Sequence, residues 1–171
     1  LRIVAIITRH EQALEWAIGH MTSKWGGVAL ESETFAFEET RYYEPTMGSH
    51  LGKTFLAFER LADPAELADW KWMTNAWEDE YAASAGHAEP RPLNLDPGYI
   101  TPAKLVLAST KDHAHRIYLR DGMYAEVTLF YRHGAWQHHE FTFPDYRRGD
   151  YQQFFTRCRQ WLRQKSASGE A

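Results

Sequence analysis

Apolar positions along the chain fall into two rhythms, and their alternation lays out the elements. "RIVAIIT" (Arg2–Thr8) is a continuous apolar run of strand length, which predicts a strand covered on both faces. From His10 to Trp25 the rhythm changes: Leu14, Ile18, Met21 and Trp25 repeat at helical spacing, and Gly26-Gly27 stop the helix. "VALESETFAF" alternates as a strand would, with Ala29, Glu31, Glu33, Phe35 and Phe37 on one face. A long polar and aromatic loop, "EETRYYEPTMGSHLG", leads into a third strand over Lys53–Leu61. "DPAE" then gives the clearest helix start, with Asp63 as cap, Pro64 in the first turn and Glu66 completing a capping box. That helix runs to about Ala83 and buries Leu67, Trp70, Thr74, Trp77 and Tyr81 along one stripe.

"SAGHAEPRP" (Ser84–Pro92) has linker composition but is short enough to be a loop within one domain. "LNLDPGY" reads as a short strand ending in an Asp-Pro-Gly turn, where Pro97 presets φ and Gly98 takes positive φ. Thr101-Pro102 then reads as the start of a short helix, with Thr101 as cap and Lys104, Ala108 and Lys111 along its polar side. Asp121-Gly122 and His133-Gly134 predict two hairpin turns, hence a three-stranded meander over about Ala114–Arg120, Met123–Arg132 and Ala135–Thr142. The last helix spans about Asp150–Lys165, with Phe154, Phe155, Cys158, Trp161 and Leu162 on its buried side. The order of elements predicts an α+β fold: a ferredoxin-like βαββαβ core extended by an antiparallel meander and a C-terminal helix. One domain is expected over residues 1–165, with 166–171 as a flexible tail.

Composition narrows the function classes. Of 171 residues 44% are hydrophobic and 15% aromatic, enough to build a packed core rather than a disordered chain. The net charge of −4, with both signs interspersed, provides no molecule-wide field for nucleic acid. A single cysteine, Cys158, excludes a disulfide framework and a cysteine-built zinc site. No apolar run approaches membrane-span length, so a cytoplasmic location is expected. The chain begins at Leu1 without a methionine, which leaves its true start open.

Familiar catalytic signatures are absent. "GSHLGKT" ends in Gly-Lys-Thr, but its glycines are too close for a phosphate loop and it leads into a strand rather than a helix. Counting cross-strand pairs outward from the two hairpin turns places Leu119 opposite Tyr124, Ile117 opposite Glu126 and His115 opposite Thr128. The second turn places Phe130 opposite Gln137 and Thr128 opposite His139. His115, His139 and Glu126 then converge on one face as a candidate facial triad for a divalent metal. Arg116 lies on the other face, either bridged to Glu140 across Val127 or aimed at an anion. Lys71, Asn75 and Glu78 follow helical spacing and read most simply as a solvated helix face.

The motifs "RYYEPTMG", "FERL", "DPAELADWK", "NLDPGY", "AKLVLASTKDHAHRIYL", "GMYAEVTLFY" and "FPDYR" together resemble a bacterial family, domain-of-unknown-function family 4416. The resemblance spans roughly Ile3 to Trp161, in the same order, and the motifs are specific as a set rather than singly. It implies a small single-domain bacterial protein and supplies no reaction. His115 and Glu126 fall within these motifs, whereas His139, in "WQHHEF", falls outside them.

The expectation with most residue support is a site for an anionic, phosphate-bearing small molecule such as a nucleotide. Lys53, Lys104, Lys111 and Arg116 would hold charge, Tyr43 and Tyr99 would stack, and Glu44, Asp96 or Glu126 would act as general base or bind Mg²⁺. Whether such a site turns substrate over is left open. The alternatives are a module that binds RNA or a protein through sheet aromatics and the basic last helix, and a metal-dependent enzyme built on the His/His/Glu set. Acidic net charge and the lack of an RNP-like segment make nucleic acid the weaker partner.

Overall fold

The computed structural model describes residues 1–168. Among these residues nine strands form one antiparallel sheet, with two long α-helices on one face, a third on the other and a short one at one end. In chain order these are β1 (Arg2–Thr8), α1 (Glu11–Trp25), β2 (Val28–Glu31), β3 (Phe35–Ala36), α2 (Glu44–Met47), β4 (Gly52–Phe58), α3 (Leu67–Ser84) and β5 (Asn94–Ile100). Then follow β6 (Lys104–Ser109), β7 (Ile117–Arg120), β8 (Met123–Arg132), β9 (Ala135–His138) and α4 (Gly149–Ala167). The strands stand in the order β2-β4-β1-β5-β6-β8-β7, with β3 also paired to β4 and β9 to β8.

The apolar run of β1 is explained by its position, flanked by β4 and β5 and covered above and below. Its Val4 and Ile6 face Ala13, Ala17, Met21 and Trp25 of α1 and Leu67, Trp70 and Tyr81 of α3. On the other face Ile3 and Ala5 join Phe55, Leu105, Leu107 and Leu129 under Phe154, Phe155, Cys158 and Leu162 of α4. Burying a side chain of this size contributes roughly 1.5–3 kcal/mol, so the two layers dominate the fold's stability. A third cluster of Ile7, Phe37, Met47 and Leu51 anchors the long loop at one end of the sheet.

Helix α1 ends at Gly26, which donates its N–H to the Thr22 carbonyl and whose φ of 93° favours a residue free of a Cβ. Asp63 caps through the Ala65 N–H, and one 3-10 turn (Pro64–Glu66) precedes α3. Glu66 does not close the expected box; it accepts from the Trp70 indole N–H instead.

Four local expectations are corrected. The run "AKLVLAS" is strand β6, not a helix: Leu105 and Leu107 face α4 while Val106 and Ala108 face α3, and burial on both faces hides the strand's alternation. Thr101 accepts from the N–H groups of Ala103 and Lys104, so it turns the chain between β5 and β6 rather than capping a helix. Asp96-Pro97-Gly98 is the interior of β5, not a turn. β6 joins β5 only from Gly98 onward, so Pro97 sits where the sheet has one neighbour fewer, the setting in which a strand tolerates proline. The segment expected as one strand, "VALESETFAF", divides into β2 and β3, because buried Ser32 exchanges hydrogen bonds with Phe55 and takes over the ladder there.

Both hairpin turns form, with positive φ at Asp121, Gly122, His133 and Gly134. The second keeps the expected register, Phe130 opposite Gln137. In the first, a bulge between Tyr118 and Arg120 sets Tyr118 opposite Tyr124 and Ile117 opposite Ala125, one residue away from the count. Ser166 and Ala167, expected in the tail, continue α4; residues 169–171 of that tail lie outside the described residues. None of the described helices is long and apolar enough to cross a membrane.

A candidate binding cavity at the end of the sheet

A cavity of about 500 Å³ opens where Lys53 starts β4, Asn94 and Asp96 start β5, Leu107–Ser109 end β6, and Glu126 projects from β8. Strand alternation puts Lys53 and Leu107 on the α4 face, and Glu126 stands opposite Leu107 in the ladder. The loop before β4 supplies Phe37, Tyr42 and Tyr43 as one wall, and the segment before α4 supplies Phe143, Asp145 and Tyr146 as the other. Its volume suits a small-molecule site.

The floor is a chain of paired charges. Lys71 reaches from α3 to donate to the Leu95 carbonyl at 2.7 Å and to Asp96 at 3.1 Å. Glu78, two helical turns further along, accepts from the Leu95 N–H at 2.7 Å and from Arg91 at 2.7 and 3.2 Å. Arg91 donates to the Asn94 side-chain carbonyl, and the Asn94 amide donates to Asp96 at 2.8 Å. Lys53 pairs with Asp145 among the rings of Phe37 and Tyr146. The expectation of a solvated Lys71–Asn75–Glu78 face is therefore overturned for Lys71 and Glu78, which are buried.

Burial by itself would raise the Asp96 carboxyl, but Lys71, Lys53 and the Asn94 bond outweigh it and hold the group below the ordinary range. In Glu78 burial wins over Lys71 and Arg91, and the carboxyl is held above its ordinary value. Burial also raises the phenols of Tyr43 and Tyr146, keeping both protonated as donors. Among the paired carboxylates that line the cavity, Asp96 retains 25% and Glu39, held by Arg148, 23% of side-chain exposure, against 2% for Glu126 and 5% for Asp145. Asp96 on the floor and Glu39 on the loop wall are the acceptors that a ligand in the cavity can reach.

At the mouth, Arg116 donates Nε–H to Glu126 at 2.9 Å and Nη1–H to Ser109 at 2.7 Å and to the Lys111 carbonyl at 3.1 Å. These bonds leave Nη2 without an acceptor among the described residues. The expected bridge from Arg116 to Glu140 does not form, because Glu126 takes its place. Lys111 donates to the Tyr42 hydroxyl at 2.8 Å, which lowers that phenol's pKa, and its ammonium stands 4.1 Å from the ring centroid. Lys53, Lys71, Arg91 and Arg116 all meet carboxylates; Lys111 meets none among the described residues.

Of the residues singled out in the sequence, the cavity brings together Tyr43, Lys53, Asp96, Lys111, Arg116 and Glu126. Tyr99 and Lys104 line a separate cleft of about 180 Å³ with His115 and Phe141. Glu44 is exposed on α2. His115 does meet Glu126, at 3.1 Å, but the Phe141 ring stacks between His115 and His139, at 4.2 and 4.9 Å from their centroids. His139 is thereby separated from the other two members of the expected metal triad.

Arg91, Asn94, Asp145 and Tyr146 are among the cavity residues that the sequence pattern left unassigned, and Lys71 is one that it placed on a solvated helix face. Asp145 and Tyr146 stand in "FPDYR", a motif of the resemblance, and that was the one signal pointing to them.

A family model described as "Domain of unknown function (DUF4416)" matches residues 1–162. The chain belongs to the DUF4416 family. No curated protein and no solved structure matches it. All the residues of the DUF4416 cavity lie inside the matched span.

Proposed function

We propose that the cavity binds an anionic, phosphate-bearing small molecule such as a nucleotide. The observation that carries this reading is that one cavity is lined both by Lys111, free of any carboxylate among the described residues, and by Arg116, whose Nη2 lacks an acceptor among them. A phosphate there gains two charge-assisted donors at little desolvation cost, since Lys111 is exposed. A planar ring would lie against Tyr42, Tyr43 and Phe143, and its N–H donors would reach Asp96 on the floor. Asp96, ionised and held by Lys71 and Asn94, would serve the ligand as a hydrogen-bond acceptor.

Thermal-shift screening of nucleotides and sugar phosphates against their dephosphorylated counterparts tests the reading. Stabilisation by phosphorylated members, reduced in Lys111→Ala, supports it; a flat response across the panel sinks it.

Two finer readings accompany this one. The run β1-α1-β2-β4-α3-β5, with neighbours ordered β2-β4-β1-β5 and both helices packed on one face, supports a ferredoxin-like unit extended by the later strands and α4. A reducing, cytoplasmic setting is supported by Cys158, a lone cysteine on the buried face of α4 whose thiol burial pushes up to about 12.

A further inference from the structure

Away from the cavity, His10, at the end of β1's run into α1, meets His87 and Glu89 of the loop between α3 and β5. One ligand atom from each of the three lies within 4.8 Å of the others, and all three side chains are half-buried. We propose that this cluster is a zinc site, with His10, His87 and Glu89 as ligands and a fourth position open to water.

The donor set is the first argument. Two imidazoles and one carboxylate suit zinc and neighbouring late transition metals, whereas Mg²⁺ and Ca²⁺ call for oxygen ligands. Spacing is the second. Two ligand atoms held at roughly 2.0–2.1 Å by one tetrahedral zinc lie about 3.3 Å apart. His10 Nε2 and Glu89 Oε2 stand 3.1 Å apart, close to that separation.

The outer shell is the third argument. Metal-binding groups are characteristically held from behind through their other polar atom. The Tyr81 hydroxyl lies 3.0 Å from His87 Nε2, which leaves Nδ1 for the metal. Arg9 donates to Glu89 Oε1 at 3.2 Å, which leaves Oε2 for the metal. The His10 and His87 rings are stacked, with centroids 3.8 Å apart and planes 23° apart. Since a metal lies in the plane of each ring that binds it, binding fans the two imidazoles apart by rotation about χ2.

The site would tie the end of β1 to the loop that carries Arg91, so zinc would also fix that edge of the cavity. It does not depend on the phosphate reading, because its three ligands lie outside the cavity lining.

Zn²⁺ and Co²⁺ titrations of tag-free protein test the proposal. The expectation is one Zn²⁺ per chain by competition with a chromogenic chelator, and with Co²⁺ the visible absorption of a four-coordinate nitrogen–oxygen site. His10→Ala and Glu89→Gln should each weaken Zn²⁺ at least about tenfold, and Tyr81→Phe should weaken it about tenfold through the outer shell. His139→Ala, at the far side of the sheet's meander, should leave it unchanged. Absence of stoichiometric binding in the wild type overturns the proposal, as does binding that survives His10→Ala and Glu89→Gln combined. Variants that lower the melting temperature equally with and without Zn²⁺ would show an ordinary His–Glu ion pair and overturn it as well.

Discussion

Gly98 shows how a single residue can be misread for a sound reason. Pro97-Gly98 has the composition of a turn, yet this glycine is needed for space: a Cβ there would stand 2.3 Å from the Val106 carbonyl oxygen. Backbone cannot give way as a side-chain tip can, so Gly98→Ala should cost about 1–3 kcal/mol in urea denaturation. A neutral substitution would show that β5 and β6 are not so close. Asp96 carries a second test at this scale. Its folded pKa lies below the ordinary value of about 3.9, so its ionised form adds stability that is present above that value. The contribution is lost as pH falls through the folded pKa. Asp96→Asn should therefore be less stable than wild type at neutral pH, with the gap closing in acid. A gap that is constant with pH would contradict the assignment. Glu78, held above its ordinary value, acts in the opposite sense over the range above about pH 4.3, so wild-type stability alone cannot isolate Asp96.

At the scale of elements, α3 is fastened to β5 by polar rather than apolar contacts at its middle. Lys71 takes the Leu95 carbonyl and Glu78 the Leu95 N–H, so one helix clamps both polar groups of one strand residue. Glu78→Ala leaves that buried N–H unpaired and should cost about 1–3 kcal/mol by chemical denaturation. An effect within experimental error would mean that water replaces the carboxylate. Spacing along α3 could not reveal this clamp, because its partners Arg91, Asn94 and Asp96 arrive from a later segment. By the same logic α1, α3 and α4 were legible from helical periodicity, and β1 from an apolar run too short for a helix that stops where a helical rhythm begins. Strand β6 was not, since four consecutive apolar residues buried on two faces fit either a helix or a strand. The β7–β8 register slipped because the bulge at Leu119 leaves no trace in the hairpin's turn residues.

Across the whole molecule, the sheet gathers at one end the charged residues that the sequence scatters from Phe37 to Tyr146. Six of the residues singled out in the sequence meet there, and the reason is topological. The ends of β1 and β6 and the starts of β4, β5 and β8 lie side by side in the antiparallel order. Tyr99 and Lys104 miss the site because they belong to the opposite ends of the same strands β5 and β6. Thus the polar residues of "LNLDPGYITPAKLVLASTK" divide between two clefts, with Asn94, Asp96 and Lys111 in the larger. The central claim is that an anion sits between Lys111 and Arg116 at that cavity's mouth. Titration calorimetry of wild type and Lys111→Ala with a nucleoside monophosphate and its parent nucleoside tests it most directly. The prediction is that wild type binds the nucleotide at least about tenfold more tightly than the nucleoside, the value of one charge-assisted hydrogen bond, and that Lys111→Ala loses the difference. Equal affinity for the two compounds, or a preference for the nucleotide that Lys111→Ala retains, would contradict it.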